Sequence, residues 1–386
     1  MMAGLLFARA GVQTVVLEKH GDFLRDFRGD TVHPSTLELF RELGSIDRLL
    51  ARPHDAVSEL TGKVAGRTVR IADFGRLKIR SRFIAMMPQW EFLDFLKGEA
   101  AHFPAFSLRM NAEATGLSFD AEGRVDGVQL ADGNRLGAGL VIAADGRRSV
   151  LRGAAALPLE DLGAPMDVFW FRLPKSDTPG NDTMGVFEAG RLLVLIDRGA
   201  YWQAAYVFPK GEADAVRARG LDAFRAEVAS LAPATASTLG TLTDWDQMKL
   251  LSVSLDRLTR WHCPGLLAIG DAAHAMSPVG GVGINLAVQD AVAAANILAG
   301  PMARGDDPDP LLSRVQARRM LPVRIIQTGQ KLIQDRVIGT LLQPDARLDH
   351  VPLPLRLLDR HAWLRGIPAR IVGLGVRREH IRSPVA

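Results

Sequence analysis

Apolar and polar positions change period along this chain, and the changes mark its elements. Residues 1–10 place Ala3, Leu5, Leu6 and Ala10 on one side of a helix that Gly11 stops. Residues 13–18 read as a strand. Leu37, Phe40, Leu43 and Leu49 recur at helical spacing over 34–51. Residues 57–86 alternate in strand fashion, with turns at Gly62, Gly66 and Gly75, and a helix over 88–103 opens on Pro88. Short strands over 106–143 turn at Glu122-Gly123 and Asp132-Gly133 and end in a strand over 140–144. Within 165–255, residues 184–187, 192–196 and 201–208 suggest three antiparallel strands, and 212–232 a charged amphipathic helix. Residues 250–261 lead back to the first half, Asp306 to Pro310 reads as a surface turn, and 312–342 is again helical. No internal repeat or low-complexity tract interrupts this order.

One stretch, 265–291 (GLLAIGDAAHAMSPVGGVGINLAVQDA), carries more chemistry than the rest. Leu266, Leu267, Ala268 and Ile269 form a short buried strand that stops at Gly270-Asp271. A glycine-dense loop follows, with Pro278, Gly280, Gly281 and Gly283, and an Ala/Val/Leu helix begins at Ile284. Strand, carboxylate, bare backbone and helix start in that order suit a large polar cofactor. Asp271 can accept from hydroxyls, glycines let a flat ring approach the main chain, and the helix start offers free N–H groups and a positive dipole end. The competing reading is an ordinary strand–turn–helix unit.

This string resembles the second flavin motif of the FAD-dependent aromatic hydroxylases, the p-hydroxybenzoate hydroxylase-like flavoprotein monooxygenases. Other segments match that family in order: Val16-Leu17-Glu18-Lys19; Arg28-Gly29 with His33-Pro34-Ser35-Thr36-Leu37; Pro88-Gln89; and the Asp-Gly motif from Ala144 through Asp145, Gly146, Arg147 and Arg148 to Arg152. The resemblance covers roughly residues 1–300. It implies an α/β fold: a discontinuous Rossmann-like FAD-binding domain, an inserted mixed-sheet substrate domain and a helical C-terminus. The expected divisions are 1–164, with 57–86 contributing to the substrate pocket, then 165–255, 256–311 and 312–386.

Glu18 ends a strand where an acid can accept both ribose hydroxyls, or be a solvated strand-end charge. The resemblance implies that Arg28 lies against the flavin or its phosphates, and that Gln89 donates to the cofactor chain. It also implies that Asp145 contacts FAD and the nicotinamide cofactor, with Arg148 and Arg152 near phosphates. Gly270 and Asp271 would meet the ribityl chain, and Pro278 the reacting face. Gly283 and Asn285 would sit by the pyrimidine edge, where main-chain donors stabilise the reduced anion, with Gly281 and Ile284 as further cofactor-binding candidates. Pro278, Gly283 and Asn285 are thus the candidate catalytic positions. His33 and His274 read as structural, and no general base is named. The pocket would draw on 57–86 and 165–210, where Trp170, Phe187, Trp202 and Tyr206 alternate with aliphatics, so half of these must face away.

The expected activity is oxygen insertion into an aromatic or polyketide-like substrate, with NADPH or NADH and dioxygen, through a flavin C4a-hydroperoxide. Two alternatives stay open: a flavin oxidoreductase without oxygen insertion, and a truncated, non-catalytic remnant. The second is motivated by a departure from the family pattern, because no strand and G-x-G-x-x-G turn precede the helix over 1–10. The chain as given is therefore expected to hold FAD weakly. Flavin halogenases share this layout, but their W-x-W-x-I-P string is absent.

Composition narrows the remaining classes. The chain has 386 residues, room for two domains, with 47% hydrophobic and 23% charged residues. Its single cysteine, Cys263, excludes an intrachain disulfide and fits a reducing, cytoplasmic setting. Metal-ligand spacing, a Gly-x-Ser-x-Gly elbow and a nucleic-acid motif are all lacking, and no uncharged apolar run reaches the roughly 18 residues of a membrane span. A monomer or homodimer acting on a small molecule is expected. Residues 341–386 hold eight arginines against four acids, interleaved with apolar residues. That segment is expected to pack on the body with its arginines in water, the other reading being a membrane-surface role.

Overall fold

The run at 266–268 becomes a strand, Leu266–Ala268, with no exposed side chain, and the first sheet grows around it. In this computed structural model Val141–Ala143 runs parallel to it, with Ala143 opposite Ala268, and His262–Cys263 pairs antiparallel on its other edge. The structure describes residues 1–24, 31–175, 184–188, 191–339, 342–343 and 350–386. A second parallel pair, Thr14–Leu17 with Phe106–Arg109, lies on helix Met2–Arg9. The two parallel pairs form separate sheets.

Helix Gly283–Ala303 is the spine. Its alanine- and leucine-rich surface packs against helices Met2–Arg9 and Asp309–Ile333 and closes the largest core cluster. The stretch 279–303 alone, among the described residues, is long and apolar enough to cross a membrane, but 72% of its most apolar 18-residue window is buried within the protein.

A seven-stranded sheet forms the other half. Its order is Lys249–Ser252, Met166–Pro174, Tyr201–Pro209, Arg191–Asp197, Met184–Glu188, Glu59–Val64 and Arg67–Asp73. Residues 59–73 therefore complete the sheet begun by 166–252, as the alternation over 57–86 suggests. Strand alternation sorts the aromatics. Trp202, Tyr206, Phe169 and Phe171 point to the side covered by helices Ala213–Ala218 and Leu221–Leu231. Trp170 turns to the other side with Val168, Val194, Ala205 and Val207, where Val279 of the glycine-rich loop and Ile338 meet the sheet. The side chain of Phe187 lies outside the described residues.

Several elements depart from the sequence expectations. The helix over 34–51 is two, Pro34–Glu42 and Ile46–Leu50, broken where Gly44 takes φ +71. The one over 212–232 likewise breaks before Gly220, at φ +87. Pro310 belongs to the first turn of helix Asp309–Ile333 rather than to a loop, a position where its missing N–H costs nothing. Ala3 is half-buried, not core. Strand Met166–Pro174, paired along its whole length with Tyr201–Pro209, has no counterpart among the three expected there. Near the C-terminus, Leu353–Arg360 and Gly366–Leu374 pack on strand Arg67–Asp73, and the last residues return to Glu42, Asn296 and Arg9.

Candidate cofactor site

Gly270 ends the buried strand in a left-handed conformation, φ +59, and a Cβ there would lie 3.0 Å from the Cβ of Ala287. Only glycine permits that approach of loop to helix. Its N–H donates to Oδ2 of the fully buried Asp290, 3.0 Å away. The same carboxylate meets His274 Nε2 at 2.6 Å and Arg319 Nε at 2.8 Å. Burial by itself would raise the Asp290 carboxyl, but His274 and Arg319 outweigh it and hold the group below its usual range. His274 is therefore a structural partner of the loop, as expected, and also packs on Trp261.

Asp271, one residue on, is half-buried and turns toward the opposite wall. Arg147 of the Asp-Gly turn stands 3.6 Å away, and Nη1 of that arginine is buried without a partner among the described residues. A Cβ on Gly283 would lie 3.9 Å from Asp271 Oδ1, so the carboxylate looks onto bare backbone at the start of helix Gly283–Ala303. The first bond along that helix runs from Leu286 N–H to the Val282 carbonyl. The amides of Gly283, Ile284 and Asn285 lie in the first turn, where a helix supplies no partner of its own.

Four glutamines brace the chain before and after the buried strand. Gln316 holds Thr259 and Trp261, Gln327 donates to the carbonyls of Asp256 and Ala275, and Gln330 binds both the N–H and the carbonyl of Ser277 and the carbonyl of Val279. Gln334 donates to the Ser277 hydroxyl at 2.8 Å. Pro278, between Ser277 and Val279, is thereby carried on a clamped backbone. Gly281 closes the loop at φ +61, and a Cβ there would strike Thr31 Oγ1 at 2.4 Å.

The sequence-chosen residues divide into groups. Gly270, Asp271, Pro278, Gly281, Gly283, Ile284 and Asn285 come together in this loop. The side chain of Asn285 is already committed: Oδ1 accepts from His33 N–H and the Thr36 hydroxyl, both at 2.8 Å, and Nδ2 donates to the carbonyls of Thr31 and Gly281. It fastens 31–36 to the helix and leaves its main chain to face the loop. Asp145 accepts from the Ser149 hydroxyl at 2.5 Å and from Leu151 N–H, so it braces the start of helix Val150–Ala154. Arg152 turns inward to the carbonyls of Arg147 and Ala272 and to Asp256 at 3.5 Å, whereas Arg148 is exposed. Arg147, which motif reading passed over for its neighbours, is the arginine that reaches Asp271. Glu18 ends strand Thr14–Leu17 beside Arg109 and the buried amino group of Met1. Gln89 begins helix Gln89–Ala100, half-buried. Arg28 lies outside the described residues.

His33 is also structural. It is fully buried, its Nδ1 lies 2.8 Å from the Val372 carbonyl, and burial pushes its pKa down to about 4. The half-buried thiol of Cys263 is pushed up by burial, so it stays protonated.

A strand-end carboxylate, glycines bare of side chains and an open helix start define a dinucleotide-type cofactor site on a two-part α/β frame. Comparison with known proteins gives it a family. A family model described as an FAD binding domain matches residues 1–327. The chain is 32% identical over 378 residues to 6-methylpretetramide 4-monooxygenase of Streptomyces rimosus, covering 93% of this chain and 88% of that one. Its fold is similar to that of the Diels-Alderase PyrE3 from the biosynthetic pathway of pyrroindomycins (TM-score 0.76, 21% identity, 96% of this chain and 77% of that one). It is also similar to pqsL, a probable FAD-dependent monooxygenase from Pseudomonas aeruginosa (TM-score 0.74, 20% identity, 89% and 94%). The chain belongs to the FAD-dependent monooxygenases of the p-hydroxybenzoate hydroxylase-like kind, and FAD is the cofactor of that fold.

Proposed function

We propose that this protein is a hydroxylase that uses NADPH or NADH and dioxygen to oxidise an aromatic or polyketide-like compound. The observation that carries this reading is the bare backbone of Gly283 facing Asp271, with Arg147 3.6 Å from that carboxylate, while Val279 of the same loop packs in the cluster on the Trp170 face of the large sheet. The residues fit FAD. A Cβ-free backbone faces an acid, and a buried guanidinium nitrogen still lacks an acceptor. Bound FAD supplies the electron transfer from the nicotinamide and the activation of dioxygen.

The chain supplies position and field. Asp271 would accept hydrogen bonds from the ribityl hydroxyls. Arg147 offsets the charge of Asp271 and offers its unpartnered Nη1 to an acceptor on the cofactor. The amides of Gly283, Ile284 and Asn285 and the dipole of a 21-residue helix would stabilise negative charge gained by a flavin held at the helix start. Their orientation is set before the reaction, because Asn285, Thr31 and the glutamine row hold the loop rigid. Glu18 would bind the adenosine ribose and Gln89 the connecting chain, and Asp145 shapes the turn that carries Arg147. Pro278 and Val279 exclude water between cofactor and sheet.

On the sheet side, the indole N–H of Trp170 is buried without an acceptor among the described residues, beside Val194, Ala205 and Val207. An apolar wall with one donor suits a flat aromatic molecule bearing a keto or hydroxyl oxygen. The named activity of the Streptomyces rimosus relative, monooxygenation of 6-methylpretetramide, supports the same class. Reaction under isotopically labelled dioxygen tests the proposal. The label is expected in the product, and turnover of NADPH or NADH giving a label-free oxidised product would replace the hydroxylase with a dehydrogenating flavoenzyme.

A further inference from the structure

We propose that the outer face of the C-terminal helices docks on an anionic lipid surface. Each helix there is apolar on two sides. The inner side packs on the body: Val351 and Leu355 against Val64 and Val69, and Ala369 and Val372 against Phe74, Leu77 and Met86. The outer side stays in solvent. Leu353 and Leu357 are exposed one turn apart, Ile367 and Ile371 repeat that spacing on the next helix, and Trp363 between them is 67% exposed. Ile371 shares a cleft with Pro322 and Ile326 of helix Asp309–Ile333, whose outer side adds exposed Leu321, Ile325 and Leu332. Apolar residues grouped in this way mark a binding surface rather than scattered surface leucines.

Charge selects the occupant. Arg356, Arg360 and Arg370 are exposed on the same short helices, and Arg324 and Arg336 on the long one and its last turn. The acids of these elements are all engaged: Asp309 with Arg124, Asp335 with Lys331 at 3.0 Å, and Asp359 accepting from Arg70 N–H. Asp359 still carries its charge, but five exposed arginines leave these elements positive beside their exposed apolar side chains. A second copy meeting this face by two-fold symmetry would set arginine against arginine. Anionic headgroups over acyl chains satisfy both features, with an exposed tryptophan at the boundary. The surface is also built to hold its shape, since the buried Arg365 donates to the carbonyls of Leu358 and Asp359 and ties the two helices together.

The sequence alone favoured a packed extension with arginines in water. The helices do pack, but they leave five large apolar side chains outside. The experiment is co-sedimentation of the full chain with vesicles of pure phosphatidylcholine and with vesicles containing roughly one-third phosphatidylglycerol. At low salt the partition coefficient is expected to be at least about tenfold higher on the anionic vesicles, and to fall toward that on the neutral ones near 0.5 M salt, where the Debye length is roughly 4 Å. Trp363→Ala, and separately Leu357→Glu with Ile367→Glu, are each expected to lower it severalfold while leaving the far-UV circular dichroism and the Tm unchanged. Arg356→Glu with Arg370→Glu tests the ionic part in the same way. Equal partition on both vesicle types, no partition on either, or variants that bind like the parent would overturn the proposal. So would a dimer by light scattering that Leu357→Glu with Ile367→Glu dissolves, because a second copy would then be the occupant.

Discussion

Asp290→Asn removes one charge from beneath the cofactor loop and nothing from its volume. In the native protein that carboxylate binds Gly270 N–H, His274 and Arg319, with no exposure to water. The neutral amide has one acceptor oxygen for three donors. It also leaves Arg319, itself buried, with Glu379 at 3.4 Å as its remaining acid. Breaking a buried ion pair costs about 3–5 kcal/mol. The surviving Glu379 contact sets the expectation at the lower end, about 3 kcal/mol. Urea unfolding at neutral pH, followed by tryptophan fluorescence (Trp261 packs on His274), reads the loss directly. The sign with pH is fixed as well. Asp290 titrates below the ordinary carboxylate range, so its contribution is complete above roughly pH 4 and is lost only as the pH falls further. The loss in the variant should therefore be present at both pH 6 and pH 8. A loss below about 1 kcal/mol, or one that vanishes between those pH values, would refute the reasoning.

Two other substitutions read neighbouring parts of the frame. His33 falls from 6.5 to about 4 on burial, which at about 1.4 kcal/mol per unit is worth about 3 kcal/mol. Because its folded value is depressed, that contribution is present above pH 6.5 and lost as the pH falls toward 4. His33→Asn should flatten the stability profile across that window, and an unchanged slope would show that His33 is not the group responsible. Gly281→Ala forces a Cβ onto Thr31 at a positive φ and is expected to cost about 2–3 kcal/mol by thermal or urea unfolding. In a Thr31→Ala background about 1 kcal/mol of that should return, and strict additivity of the two changes would disprove the clash.

The cofactor loop was legible because its chemistry is local. A strand, an acid, left-handed glycines and a helix start follow one another within twenty residues, and each has a sequence signature. Residues whose role depends on distant partners gave no such signal. Asn285 reads as part of the loop, yet its side chain serves Thr31, His33 and Thr36, roughly 250 positions away. Arg152 and Arg147 sit in one arginine cluster, and only the fold decides that the first turns inward and the second meets Asp271. Gln316, Gln327, Gln330 and Gln334 look like polar positions on a solvated helix. Their function appears only when the loop 256–279 is laid against them. Alternation over 165–210 required half the aromatics to face away but did not say which; the pairing of Met166–Pro174 with Tyr201–Pro209 assigns Trp170 to the loop side and Trp202 and Tyr206 to the other.

Asp271 is the acid proposed to hold the cofactor chain. Titration of the protein with FAD, read by the change in flavin fluorescence, tests it for the parent and for Asp271→Ala at equal stability. Loss of a charged hydrogen-bond acceptor worth about 1.5–3 kcal/mol is expected to raise the Kd for FAD roughly 10- to 100-fold. An unchanged Kd in Asp271→Ala would contradict the site described above.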